Sequence, residues 1–141
     1  MRMLFGFAVL SMLITPAFSA EPQVKLPANM IGNWRLSEDA AKLPADLYGG
    51  TGAGINIYNR DAKATDCDGC INIRQTSYDT GYETSCTIKK TERLARDAYL
   101  VRAACESEGS TFTKISTFQI LAGQLVVTDL ERIFPKKKGR K

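Results

Sequence analysis

The sequence predicts an all-β protein, a small antiparallel barrel or sandwich of about seven strands with one short helical turn near the N-terminus. Three observations carry that expectation. From Ile55 onward, apolar residues alternate with period two in short runs broken by turn residues. Four cysteines, an even number, lie in a short chain behind a secretory-type leader. Once that leader is removed, about 120 residues remain, enough for one domain with its own core.

The leader reads MRMLFGFAVLSMLITPAFSA: Arg2, an apolar run from Met3 to Ile14, Pro16, then small residues. The run is too short for a spanning helix of about 20 residues, and the order is that of a secretory signal peptide. Ala17 and Ser19 at the −3 and −1 places predict cleavage after Ser19, delivering residue 20 onward to the periplasm or the medium. No cysteine follows the run, so no lipid anchor is expected, and no later stretch is long and apolar enough to form a transmembrane segment. The organisation that follows is signal peptide 1–19, extended lead-in 20–30, a single β domain 31–134 and a basic, disordered tail 135–141.

Within the domain, Ile31, Trp34 and Leu36 suit a first strand. SEDAAKL reads as a helical turn that Ser37 caps and Pro44 stops, with Glu38 and Asp39 at its positive end. YGGTGAG is a flexible loop. Its GGTGAG, Gly49 to Gly54, is similar to the phosphate-cradling loop of the tubulin and FtsZ family, but the match stops at those six residues. Ile55 also stands where a dinucleotide fingerprint needs its third glycine. INIYN, CINIRQ, YETSCTIKK, AYLVRAACES, TFTKISTFQI and QLVVTDL follow as strands, the last two joined by a turn at Gly123.

The cysteines give a register. If Cys86 lies opposite Cys105, then Ile88 faces Ala103, Lys90 faces Val101 and Glu92 faces Tyr99, with the turn at Ala95 and Arg96. The apolar faces then mostly coincide, so KKTERLARDAYLV reads as a hairpin connection, not a helix. Opposed Cβ atoms at a non-hydrogen-bonded pair come close enough for a disulfide. Cys86–Cys105 is therefore favoured, which leaves Cys67 and Cys70, although four cysteines allow three connectivities.

ATDCDGCINI, around Cys67 and Cys70, invites other chemistry. A redox pair wants its first cysteine at a helix N-terminus, whereas a strand follows here and Asp66 and Asp68 would raise a thiol pKa. Structural zinc wants two close cysteine pairs or histidines, and the chain contains no histidine. A calcium loop lacks its further ligands. No metal or cofactor is expected. The missing histidine also removes the commonest general base and the usual partner of a catalytic serine or cysteine. Glu83, Glu106 and Glu108 have the chemistry for acid/base work, but nothing in their spacing distinguishes them from charged strand ends.

The net charge of +4 is misleading, because five cations crowd into PKKKGRK and the body is mildly acidic. Lys136, Lys137, Lys138, Arg140 and Lys141 form a solvated tail whose second use is contact with anionic lipid or lipopolysaccharide. Without a basic stripe interleaved with aromatics, nucleic-acid binding is not expected.

Two resemblances add to this. GNWR, with Gly32 and Trp34, resembles the Gly-x-Trp opening of lipocalins and related calycin barrels, which would make Arg132 the arginine covering that tryptophan. The residues themselves read as a tryptophan plugging a core. From Trp34 to about Val127, the order GNW, DCDGCINI, GYETSCTI, AYLVRAACESEG and LAGQLVV resembles small uncharacterised exported proteins of alphaproteobacteria, rhizobial ones especially. Members often carry a cysteine after the tryptophan, where Arg35 stands here, and this implies that Cys67 and Cys70 bond each other. The resemblance brings a compartment and a compact β fold, and no activity. The expected function is a monomeric, non-enzymatic periplasmic or secreted binding module whose partner is a protein or envelope component, one version being an inhibitor of a secreted hydrolase. The alternatives are an envelope protein held by its tail to anionic surface polymers, and a carboxylate or dithiol enzyme.

Overall fold

The computed structural model describes residues 25–38, 54–81 and 83–136. The leader, the helical turn beyond Glu38, most of the glycine loop, Tyr82 and the tail residues Lys137, Lys138, Arg140 and Lys141 lie outside them. Eight antiparallel strands close into a barrel: β1 (Gly32–Leu36), β2 (Gly54–Arg60), β3 (Cys70–Ile73), β4 (Ser77–Thr80), β5 (Thr84–Ala95), β6 (Ala98–Ser107), β7 (Ser110–Leu121) and β8 (Gln124–Ile133). β3 to β8 form a meander, β1 pairs with both β2 and β3, and β2 closes the ring against β8. The count corrects the expected seven. The missed strand is β4, whose four residues SYDT hold one apolar side chain, Tyr78, and are too few to display a period.

The inside is filled. Trp34, Ile71, Ile73, Tyr78, Phe118 and Leu125 are all fully buried, and Tyr78 meets Phe118 edge-on at 5.2 Å. An eight-stranded barrel is just wide enough for side chains to fill. Leu26 and Met30, assigned to the lead-in by sequence, belong to this core. A turn closed by Met30 N–H on the Pro27 carbonyl folds them under the barrel, and the Met30 carbonyl accepts from Trp34 Nε1 at 3.0 Å.

An arginine covers Trp34, but it is Arg60, not Arg132. In the β1–β2 register Arg60 lies opposite Trp34, its guanidinium 4.2 Å from the ring centre. It also donates to the Ile31 and Asn29 carbonyls. Gly32, with φ +131°, is what admits it, because a Cβ there would stand 2.6 Å from Arg60 Nη1. Arg132 instead lies 5.8 Å from the Phe112 ring.

All four β3 residues are buried, which is unusual for a strand of a small barrel. Its inner face, Ile71 and Ile73, joins the core, and its outer face is covered by the loop from Asp61 to Gly69. Asn72 Nδ2 donates to the Ala64 carbonyl and to Asn33 Oδ1, and Asn33 in turn donates to the Ala62 carbonyl. The Cys67–Cys70 disulfide clasps the end of that loop to the strand. Cys70 N–H bonds to the Cys67 carbonyl, and Gly69, with φ +72°, makes the turn.

The second disulfide joins Cys86 and Cys105 directly across β5 and β6, with Cα atoms 4.0 Å apart. That separation belongs to a narrow, non-hydrogen-bonded pair. The predicted register holds to Ile88 and Ala103. It then slips by one, so Thr91, not Lys90, faces Val101, and Lys90 faces Arg102. A second irregularity before Ala95 moves the turn to Arg96 and Asp97.

Candidate functional site

The two ends of the barrel differ in chemistry. At the end where β8 finishes, register and alternation put Phe112, Lys114 and Ser116 of β7 and Asp129 and Arg132 of β8 on the inward face. Lys114 and Asp129 are buried, and their cross-strand partners on the next strands are Ala103 and Gly54. Those small residues leave room for the two polar side chains. Lys114 Nζ lies 3.1 Å from Asp129 Oδ1, which also accepts from Ser116 Oγ at 2.9 Å, while Arg132 is 3.7 Å from Oδ2. Two cations therefore face one carboxylate.

The Tyr78 hydroxyl points into the same cluster. Burial pushes its pKa well above the usual phenol value, and the Asp129 charge adds to that. Ser116 offsets part of the rise, yet no hydrogen bond of good geometry reaches Tyr78 Oη, and Thr91 Oγ1 is likewise buried without a partner. The sign of the consequence is fixed. The unfolded chain ionises this tyrosine near pH 10 while the folded chain keeps it neutral, so stability present below pH 10 is lost as pH rises further. Tyr78→Phe is expected to shift stability at pH 7 by no more than about 1 kcal/mol, since it removes an unpaired hydroxyl. It should also flatten the decline above pH 10. Urea midpoints from pH 8 to 11.5 check both, and an unchanged alkaline slope in the variant would show that another group drives it.

Beyond Asp129, β8 continues past Gly54, the first of the described residues of β2. Its final residues stay paired with β7 as far as Ile133, the Phe134 that follows is mostly exposed, and the Phe134 and Phe112 rings lie 5.4 Å apart. These rings, with Thr111, Ile133 and Pro135, line a groove of about 410 Å³. Glu83 and Glu108 hydrogen-bond to each other at the same end, holding the exposed Glu83 carboxyl above its usual range. Glu106 points outward on β6 and also borders the groove.

Of the residues singled out by sequence, the structure pairs all four cysteines and joins Gly32 to Trp34 at the opposite end of the barrel from Arg132. It leaves Lys136 exposed, next in sequence to Pro135 of the groove. Lys114, Ser116, Tyr78 and Asp129 were missed. The available signal was Lys114 and Asp129 standing at inward positions of otherwise apolar strands. Compared with known proteins, the chain matches no family model, no curated protein and no solved structure.

Proposed function

We propose that this chain is a small, exported, non-enzymatic binding module that recognises its partner through the end of the barrel where β7 begins and β8 finishes. One observation supports this most: at this end of a filled, cross-linked barrel Phe112 and Phe134 line a groove, and Arg132 lies between the Phe112 ring and the buried Lys114–Asp129 pair, leaving one cation in excess. Arginine and aromatic side chains held on rigid strands are typical binding anchors. A framework with both cysteine pairs oxidised loses little freedom on binding, and it fits an oxidising compartment, as the leader does. Inhibition of a secreted hydrolase is one form of such a module.

The test is affinity capture from periplasm and medium with the mature protein and with an Arg132→Glu, Phe134→Ser variant that melts at the parent temperature. The parent should retain a partner that the variant loses at least tenfold. Equal retention by both would move the recognition surface elsewhere.

A further inference from the structure

The opposite end of the barrel carries a charge pattern that total composition hides. The part of the β5–β6 hairpin nearest its turn, residues 89–102, holds Lys89, Lys90, Arg93, Arg96 and Arg102 against only Glu92 and Asp97. Arg93 is used internally, donating to the Ala95 and Arg96 carbonyls at the turn. The salt bridges among the described residues include none of the other four cations. Lys90 and Arg102 are directly opposed across the strands, an arrangement that disfavours folding unless something anionic lies between them. They wall a depression of about 290 Å³ with Leu100, Ile115 and Glu92. The one-residue slip after Ile88 creates this pair, since unbroken alternation would have turned Lys90 inward.

Apolar tips accompany the cations. Leu94, about half exposed, lies just before the β5–β6 turn, and Leu121, equally exposed, lies at the β7–β8 turn. The Ile120 N–H bond to the Asp97 carbonyl holds the two turns side by side. Leucines projecting among unpaired cations match the requirements of an anionic membrane interface, where apolar tips enter the headgroup boundary and cations stay at phosphate level. A soluble acidic protein would meet the charges but would leave the leucines without a role.

We propose that the β5–β6 hairpin, together with the adjoining β7–β8 turn, docks on an anionic phospholipid surface, with Lys90 and Arg102 taking a headgroup phosphate between them. This site is distinct from the groove beside Phe134 and from the basic tail. It lies farther along the same outer face of β6 and β7, with Arg102 and Ile115 two residues from Ala104 and Thr113 of the groove.

Co-sedimentation of the mature protein with vesicles of phosphatidylglycerol and phosphatidylcholine tests this. Binding is expected to the mixed vesicles at low salt, and it should weaken about tenfold or more as salt rises toward 0.5 M. A Lys90→Glu, Arg102→Glu variant should lose about tenfold in vesicle affinity, and Leu94→Ser with Leu121→Ser should lose severalfold. Both variants should keep the parent's melting temperature and its partner capture through the groove. Deleting residues 137–141 should leave most of the vesicle binding. Equal binding to pure phosphatidylcholine, no binding at low salt, or loss only on tail deletion would each overturn the proposal. Should vesicle binding fail while the groove variant still loses its captured partner, the lipid site alone falls and the binding-module reading stands.

Discussion

Replacing Asp129 with alanine is expected to cost about 3–5 kcal/mol of folding stability, more than any other single polar substitution in the barrel. Its carboxylate accepts from Ser116 and holds Lys114, and both charges are nearly withdrawn from water. Removing one partner leaves a buried ammonium facing Ala103 and Ser116, with Arg132 adding like charge nearby. Lys114→Met is expected to cost less, because Ser116 and Arg132 remain to Asp129. The double variant Lys114→Met, Asp129→Leu should recover most of the loss, since apolar replacement of a whole buried pair is often neutral. Urea denaturation of the parent, Lys114→Met, Asp129→Leu and the double variant closes the cycle and gives the coupling energy directly. A loss below about 1 kcal/mol for Asp129→Ala would mean that water already solvates the pair, as for an exposed salt bridge. The proposed binding end would then be a wet mouth, not a preorganised one.

Much of the fold was legible because alternation and cysteine spacing constrain each other. Matching Cys86 to Cys105 brought Ile88 opposite Ala103 without further assumption, as observed. The register failed where the backbone inserted an extra residue near Lys89. That insertion had a trace in the sequence: an unbroken register buries Lys90 against Val101, whereas a slip of one buries Thr91 and turns Lys90 outward. The Arg60 assignment was harder to anticipate. Arg60 reaches Trp34 only because β1 is inserted between β2 and β3, a pairing that periodicity does not encode. β4 escaped for want of length. The site residues escaped for a different reason: Lys114 and Asp129 read as ordinary charged strand positions until closure of the barrel turned them inward. The cationic hairpin escaped because acids at the other end, Glu83, Glu106 and Glu108 among them, balance it in any total. The expectation of a Trp plug rests on the GNW residues themselves, and that of export on the leader. The packing of Trp34 between Met30 and Arg60 rests on the geometry itself.

Removing the Cys86–Cys105 bond, by a Cys86→Ala, Cys105→Ala variant, should lower stability by about 3 kcal/mol. The bond closes a sequence separation of 19, and loop-closure entropy for about 20 residues is near that value, against about 2 kcal/mol for the four-residue turn closed by Cys67–Cys70. The two bonds also differ in what surrounds them. Cys86 and Cys105 are both buried in the core beside Tyr78 and Phe112, so losing their sulfurs leaves a void as well as a looser unfolded chain. Cys67 is partly open to solvent, and its bond holds a surface loop against β3. The Cys86, Cys105 variant should therefore melt on the order of 10 °C lower. The Cys67→Ala, Cys70→Ala variant should melt only a few degrees lower and should gain protease sensitivity between Asp61 and Gly69. In the denatured but unreduced parent, thiol titration should find no free cysteine. An equal fall in melting temperature for both variants would show that the Asp61–Gly69 loop is part of the cooperative core. Two or more free thiols would show that the protein lacks at least part of the cross-linked framework on which the proposed binding role depends.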